Sequence, residues 1–217
     1  MKSSLIILSG GLGRRVNFQF KPFLKVCGKL LIELVLEKLF SKELFEEVIV
    51  VVKNDKQKAM LEEALRHFKV RIVEDEKKFE DGPLVAIYTG AKHARMEYVF
   101  IVAVDYPLMT ADVVKKMLLR LKECDAVIPE WPNGFIEPLV SAYRREKLVK
   151  ASYKALLLGM RKARAPLEFL ERPCLVSVFS LSKNPEIVFT NVNTLEDLLK
   201  AEKLCSILSD KGRNNML

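Results

Sequence analysis

Two segments of the chain carry residues whose types and spacing suit phosphate chemistry. The first, LSGGLGRRVNFQFKPFL at residues 8–24, groups Gly10, Gly11 and Gly13 with Arg14, Arg15 and Lys21. Glycines let a backbone pass close to a phosphate and point its N–H groups at it. The three cations supply the positive charge a triphosphate needs. The stretch is not G-x-x-x-x-G-K-[ST], because no Lys-Ser/Thr follows the glycines. Nor is it G-x-G-x-x-G, because Val16 stands where the third glycine would be. A tight strand-to-helix turn with solvated basic residues has the same local composition. The second segment, FIVAVDYPL at residues 100–108, ends an apolar run in Asp105, with Pro107 stopping the strand. A carboxylate at such a place is costly unless it meets a cation or solvent. Mg²⁺ bound through one or two carboxylates plus substrate phosphates would sit there. A turn aspartate is the alternative.

The elements that must position these segments alternate short β-branched runs with helical periodicity. Strands are expected at Leu5–Leu8, Val48–Val52, Val70–Val73, Tyr98–Val104 and Ala126–Pro129. Helices are expected at Leu31–Phe40, Asp55–Phe68, Leu84–Arg95 and Ala111–Lys122. Met60, Leu61, Ala64, Leu65 and Phe68 share one face at helical spacing. Apolar strands joined by helices predict an α/β fold whose mainly parallel sheet is covered on both faces. Beyond the turn-rich Trp131-Pro132-Asn133-Gly134 come an extended stretch (Glu137–Tyr143), helical segments (Glu146–Arg164 and Pro166–Leu170) and a strand at Ile187–Phe189. A last helix starts near Thr194, where Thr194-Leu195-Glu196-Asp197 has the form of a capping box. The polar Ser209–Leu217 is expected to fray. No linker divides the chain, so residues 1–217 are read as one domain.

Composition narrows the classes. Half of the 217 residues are hydrophobic, enough for a sizeable core, and the longest apolar runs fall far short of the ~20 residues of a membrane span. The short run after Met1-Lys2-Ser3-Ser4 is too brief for a signal-peptide core, and the default compartment is the cytoplasm. Cys27, Cys124, Cys174 and Cys205 show no C-x-x-C spacing and no neighbouring histidine. That argues against zinc, and the chain's size makes a disulfide scaffold unnecessary. His67 and His93 lack metal-ligand spacing and read as surface or packing residues. The net charge of +8 suits polyanionic partners. The lysines, however, are spread along amphipathic helices and the aromatics are scattered, whereas a nucleic-acid-binding module would need basic and aromatic residues on one face.

Five motifs in order resemble the MobA-like NTP transferases, most closely the molybdenum cofactor guanylyltransferases, over nearly the whole chain. Leu8-Ser9-Gly10-Gly11, Arg15, Lys21 and Leu24 match the opening L-A-G-G-x-x-x-R-M-G-x-x-K-x-x-L, with the Gly-Gly to Lys spacing kept. Gly82-Pro83-Leu84 matches G-P-L-A-G, and Asp105-Tyr106-Pro107 matches D-x-P. Ile136-Glu137-Pro138-Leu139 with Tyr143 resembles P-L-x-x-x-Y, and Asn191-Val192-Asn193-Thr194 with Asp197 matches the closing N-x-N-T-x-x-D/E. The chain departs from the pattern at Val16-Asn17, Phe20 and Ala86.

The resemblance implies a three-layer Rossmann-like nucleotidyltransferase fold with the nucleotide over its N-terminal half. Leu8, Ser9, Gly10 and Gly11 would contact the nucleotide, with Lys21, Asn54, Asp75, Gly82, Pro83, Leu84 and Asp105 lining its site. Asp105 would be the Mg²⁺ ligand, and Asn191 and Asn193 would face the pterin acceptor. Lys21, Arg15 and Asp105 would be the catalytic set. GTP and molybdopterin are then the substrates, with no nucleic acid or membrane as partner and homo-oligomer formation left open. A terminal phosphate of the acceptor would attack the α-phosphorus of GTP, expelling pyrophosphate. Both reactants are anionic, so positioning and charge neutralisation would carry the catalysis.

Within this class the stretch KPFLKVCGKLLIELV is also similar to archaeal guanylyltransferases acting on a cobinamide phosphate, and cytidylyltransferases of the molybdopterin pathway are a further option. A catalytically degenerate nucleotide-binding protein is another. A dinucleotide-dependent oxidoreductase would need a third glycine and an acidic residue closing the second strand, and the chain has neither.

Overall fold

The computed structural model describes residues 2–10, 12–13 and 19–214. In chain order the strands are β1 (Ser3–Leu8), β2 (Leu12–Gly13), β3 (Gln19–Phe20), β4 (Lys25–Val26), β5 (Lys29–Leu30), β6 (Glu47–Val52), β7 (Arg71–Glu74), β8 (Tyr98–Ala103), β9 (Ala126–Glu130), β10 (Val140–Arg144) and β11 (Pro173–Ser177). The helices are α1 (Leu31–Leu39), α2 (Asp55–Ala64), α3 (Pro83–His93), α4 (Ala111–Arg120), α5 (Arg145–Leu157), α6 (Val178–Leu181), α7 (Pro185–Val188) and α8 (Leu195–Asn214).

Seven strands form the main sheet in the order β11-β9-β10-β8-β1-β6-β7, while β2–β3 and β4–β5 are two small antiparallel pairs. The β1–β6, β1–β8, β6–β7 and β9–β11 pairings are parallel, and β10 alone among the main-sheet strands runs antiparallel, between β8 and β9. Every residue of β1 is buried, as are five of six in β6 and in β8. Burial without alternation means both faces of the sheet are covered. The helices provide that cover: α3 packs on α5, on β1 and on β6, while α4 packs on α1 and on β8, β9 and β10. The α/β architecture with a mainly parallel sheet is the expected one. Among the described residues no helix is long and apolar enough to cross a membrane.

Close approach of α3 to the sheet centre depends on Gly90. A Cβ there would collide with Ile6 Cγ2 and stand 3.1 Å from Val51 Cγ2. The helix opens with Pro83 in its first turn after Gly82, a place where a missing N–H costs nothing.

Several expectations are corrected. Ile187–Phe189 is not a strand. Pro185 starts α7 there, and the N–H groups of Ile187 and Val188 both donate to Asn184 O. The strand at this end of the chain is β11, which pairs in parallel with β9 at the sheet edge. Its half-exposed sequence Pro-Cys-Leu-Val-Ser lacks an unbroken apolar run such as Leu5–Leu8 of β1, and a proline is tolerated at a strand's first residue. The helix expected over Glu146–Arg164 stops at Leu157. Gly159 takes φ 76°, the left-handed conformation that terminates helices, and Met160 N–H donates to Ala155 O. The cysteines are disulfide-bonded in pairs, Cys27–Cys205 and Cys124–Cys174, separated by 178 and 50 residues. Each pair joins segments that only the tertiary fold brings together, which spacing along the chain cannot reveal.

Candidate functional site

The parallel strands β1, β6, β7 and β8 end on one edge of the sheet, so the residues following them converge. Chain order reverses beside β1: β6 and β7 extend to one side, and β8 returns to the other. Such a switch point leaves a crevice at the carboxyl ends of the strands. Backbone hydrogen bonds fix the exits. Ser9 N–H donates to Val51 O at 2.8 Å, Asp75 N–H to Val52 O at 2.9 Å, and Val104 N–H to Leu8 O at 3.1 Å. A cavity of about 280 Å³ opens there, lined by Leu8, Gly10, Lys21, Lys53, Asp75, Asp81, Gly82, Pro83, Ala86, Ala103, Val104, Asp105 and Leu139.

One wall carries a chain of polar contacts. Lys21 Nζ donates to Asp105 Oδ2 at 2.8 Å and to Asn193 Oδ1 at 2.6 Å, and Asn193 Nδ2 donates to Asn191 Oδ1 at 2.8 Å. Lys21 opens a 3-10 turn (Lys21–Phe23) closed by the bond from Leu24 N–H to Lys21 O, with Pro22 buried. Asp105 leaves β8 in a turn in which Tyr106 N–H donates to Ala103 O and Val192 N–H donates to Asp105 O. Asn193 is set by the start of α8. Asp197 Oδ2 accepts from the N–H groups of Asn193 and Thr194, and Asp197 N–H donates to Thr194 Oγ1. This is the expected capping box. Burial raises the Asp197 carboxyl, but these backbone and side-chain hydrogen bonds outweigh it and hold the group below its ordinary value.

Tyr106 and Glu137 back this wall. Tyr106 OH and Trp131 Nε1 both donate to the buried Glu137 carboxylate, at 2.7 and 2.8 Å. Burial, with the Glu137 charge beside it, drives the Tyr106 hydroxyl far above its ordinary range, so it remains a donor.

The other wall is acidic. Burial, reinforced by Asp81 and opposed by Lys53, pushes the Asp75 carboxyl up to about 7. Lys53 Nζ pairs with Asp81 Oδ2. Three buried side-chain oxygens at the strand exits, Ser9 Oγ, Asp75 Oδ1 and Asp105 Oδ1, have no partner among the described residues. A buried polar atom left unpaired in this way costs stability unless a ligand or water meets it. Among the described residues no cluster of three His, Cys, Asp or Glu side chains could hold a metal by itself. The orphaned Asp105 Oδ1 nevertheless fits a cation completed by substrate phosphates, since Mg²⁺ is ordinarily held through one or two carboxylates.

Most of the expected site residues meet here. Leu8, Gly10, Lys21, Asp75, Gly82, Pro83 and Asp105 line the cavity, and Asn191 and Asn193 join it through Lys21. Ser9 is fully buried beside it. Asn54 serves as the N-cap of α2, its Oδ1 accepting from Gln57 N–H at 3.0 Å. Leu84 is turned into a separate apolar cluster with Val85, Tyr88, Ala155 and Leu156, and its N–H donates to Arg161 O. Gly11, Arg14 and Arg15, with the departures Val16 and Asn17, lie outside the described residues. Lys53, Asp81 and Glu137 were absent from the expected site. Lys53 directly follows a strand, the same signal that marks Asp105, and Glu137 is a carboxylate inside an otherwise apolar extended stretch.

Residues 5–173 match the MobA-like NTP transferase domain. Probable molybdenum cofactor guanylyltransferases are similar along most of their length. That of Methanosarcina mazei is 33% identical over 90% of this chain and 88% of its own, and that of Thermococcus gammatolerans is 31% identical over 91% and 97%. Among solved structures, molybdopterin-guanine dinucleotide biosynthesis protein A from Archaeoglobus fulgidus superposes with a TM-score of 0.78 at 30% identity, covering 94% of this chain and 98% of that one. A 4-diphosphocytidyl-2C-methyl-D-erythritol synthase from Anaerococcus prevotii shares the fold alone, with a TM-score of 0.73 at 16% identity, 94% of this chain and 96% of that one being covered. The chain belongs to the MobA-like NTP transferase family.

Proposed function

We propose that the chain transfers GMP from GTP to molybdopterin, releasing pyrophosphate. The observation that carries this reading is the contact of Lys21 with both Asp105 and Asn193 at the edge of a cavity formed by strand ends. The relatives named for this activity support the choice of guanine and of the pterin acceptor.

In this reading the base lies between the Gly10 loop and the Asp75–Gly82 wall, and the triphosphate runs toward Lys21 and Asp105. Lys21 releases Asp105 Oδ2 in part and follows the phosphate oxygens, as a compact charge on a flexible stem can. Asp105 would hold Mg²⁺ through its free oxygen; the cation supplies charge neutralisation along the phosphates when bound. Arg15 adds a further positive charge. Asn191 and Asn193 present amide groups to the acceptor, which is held with its terminal phosphate in line with the α-phosphorus. Attack forms the new P–O bond as the bond to pyrophosphate breaks, and no covalent nucleophile on the protein is needed. The activity belongs in the cytoplasm, where nucleoside triphosphates are available, and residues 1–217 act as one domain.

The test is pyrophosphate release with GTP, Mg²⁺ and molybdopterin, alongside each of the other nucleoside triphosphates. Turnover with GTP well above the rest is expected. Preference for CTP, or turnover only with another phosphorylated acceptor such as cobinamide phosphate, would replace this reading.

A further inference from the structure

Lys53 and Asp81 both line the cavity and pair with each other, although they leave different loops. The Lys53 backbone is fixed. Its N–H donates to Gln57 Oε1 at 2.9 Å, and Gln57 Nε2 reaches Gly10 O at 3.5 Å. The Gly10 loop approaches so closely that a Cβ on Gly10 would stand 3.3 Å from the Lys53 nitrogen. The lysine stem therefore starts from a set position, while its ammonium end is free to move. The Lys53 side chain is 40% exposed and that of Asp81 70%. An ion pair this open to solvent contributes little and exchanges readily. Asp75 shares the cavity and keeps a buried oxygen that meets no partner among the described residues.

These groups make a donor–acceptor pattern. An ammonium offers donors only, and an ionised carboxylate offers acceptors only. Guanine presents the acceptor O6 next to the donors N1–H and N2–H₂. We propose that Lys53 is a specificity-determining residue of this site: its ammonium leaves Asp81 when the nucleotide enters and donates to guanine O6, while Asp75 accepts from N1–H and N2–H₂. This inference rests on the cavity being the GTP site. Adenine would meet Lys53 with its N6 amino group and Asp75 with its N1 acceptor, and has no 2-amino group: two mismatches and a missing donor in place of three bonds. A site built to bond a polar group rejects the base that lacks it far more strongly than an apolar pocket rejects a change in size. Uracil, with O4 beside N3–H, matches part of the pattern and lacks the second donor.

The experiment is calorimetric binding of GTP and of ATP, without acceptor, to the full chain and to Lys53→Met, Lys53→Arg and Asp81→Asn. Lys53→Met is expected to lower the ratio of GTP to ATP affinity by at least ~10-fold, on the scale of losing one base-reading contact. Lys53→Arg, which keeps a donor, should retain most of the preference. Asp81→Asn, which frees the lysine, should hold or raise GTP affinity. Equal weakening of both nucleotides in Lys53→Met would make Lys53 a phosphate contact and overturn the inference. So would an unchanged ratio. Wild-type protein that binds GTP no better than ATP would overturn the choice of GTP itself, an outcome separable from either result in the variants.

Discussion

Lys21 Nζ lies 2.8 Å from Asp105 Oδ2, although 84 residues separate the two in the chain. Both side chains are largely buried, so each charge depends on the other until a substrate arrives. Removing Lys21 strips the cation that can follow phosphate charge toward the leaving group. Lys21→Ala is expected to lower kcat at least ~100-fold, the scale of one preorganised electrostatic contact, with a much smaller effect on GTP affinity. Lys21→Arg should rescue only part, because a planar fork differs in reach. Steady-state kinetics at saturating substrate decide it, and a variant that changes KM alone would make Lys21 a binding residue only.

Asp105→Asn keeps the shape and removes the charge. Its Oδ1 is buried with no partner among the described residues, and Oδ2 serves Lys21. Turnover at any Mg²⁺ concentration should fall by at least ~100-fold, as for loss of a metal-held transition-state contact. The circular dichroism spectrum should be unchanged. Activity restored simply by raising Mg²⁺ would mean the aspartate tunes affinity for the cation and does not complete the catalytic arrangement.

Asn193 holds Lys21 through Oδ1 and Asn191 through Nδ2, which makes it a positioning residue as well as an acceptor-facing one. Asn193→Ala should therefore weaken acceptor binding and also lower kcat, by roughly 10-fold for a hydrogen bond to a charged group. GTP affinity should stay within about twofold, as expected where the base-reading wall is untouched. Parallel loss of GTP and acceptor affinity would place the defect in the turn that starts α8.

Much of this was legible from the sequence because strand exits carry their own signal. An apolar run ending in a polar residue and a breaker, as at Asp105-Tyr106-Pro107, marks the carboxyl edge of a buried strand. The Gly-Gly to Lys21 spacing marks the loop beside it. Side-chain direction was harder to read. Leu84 belongs to the matching motif yet packs into an apolar cluster, and the Asn54 side-chain oxygen is used in capping α2. The contact between Lys53 and Asp81 and both disulfides are tertiary facts, set by how loops meet. The edge strand β11 was missed because one partner strand and partial exposure leave it without an apolar run.

Burial and the neighbouring Asp81 raise the Asp75 carboxyl to about 7, with Lys53 acting against them. A guanine N1–H needs the ionised form, so GTP affinity should rise as pH increases from 6 to 8, with its inflection near 7. Below that point the protonated carboxyl presents a donor to a donor. Asp75→Asn should bind GTP more weakly and lose the inflection. The terminal phosphate of GTP titrates identically in both proteins and cancels in the comparison. Matching pH curves for wild type and variant would assign the titration to another group.

The disulfide between Cys124 and Cys174 predicts a measurable share of the stability of the sheet edge. Cys124 follows α4 and is buried, and Cys174 lies in β11, whose pairing within the sheet is with β9. An edge strand with one neighbour has half the ladder bonds of an internal strand, and β11 has three of its five residues exposed. The cross-link closes a segment spanning 50 residues that holds β9, β10 and α5, so it removes conformational freedom from the unfolded chain. In the chain-entropy model a loop of that size is worth about 4 kcal/mol, and measured values commonly fall at ~2–4 kcal/mol. Cys174→Ser should therefore lower the unfolding free energy by about that amount, with the urea midpoint shifting in proportion. Adding a strong reductant to the wild type should produce a similar loss and no further loss from this bridge in the variant. The Cys27–Cys205 bridge contributes its own loss under reductant, so the clean comparison is made in a Cys27→Ser/Cys205→Ser background. Equal midpoints with and without Cys174 in that background would show that the bridge does not hold the β11 edge.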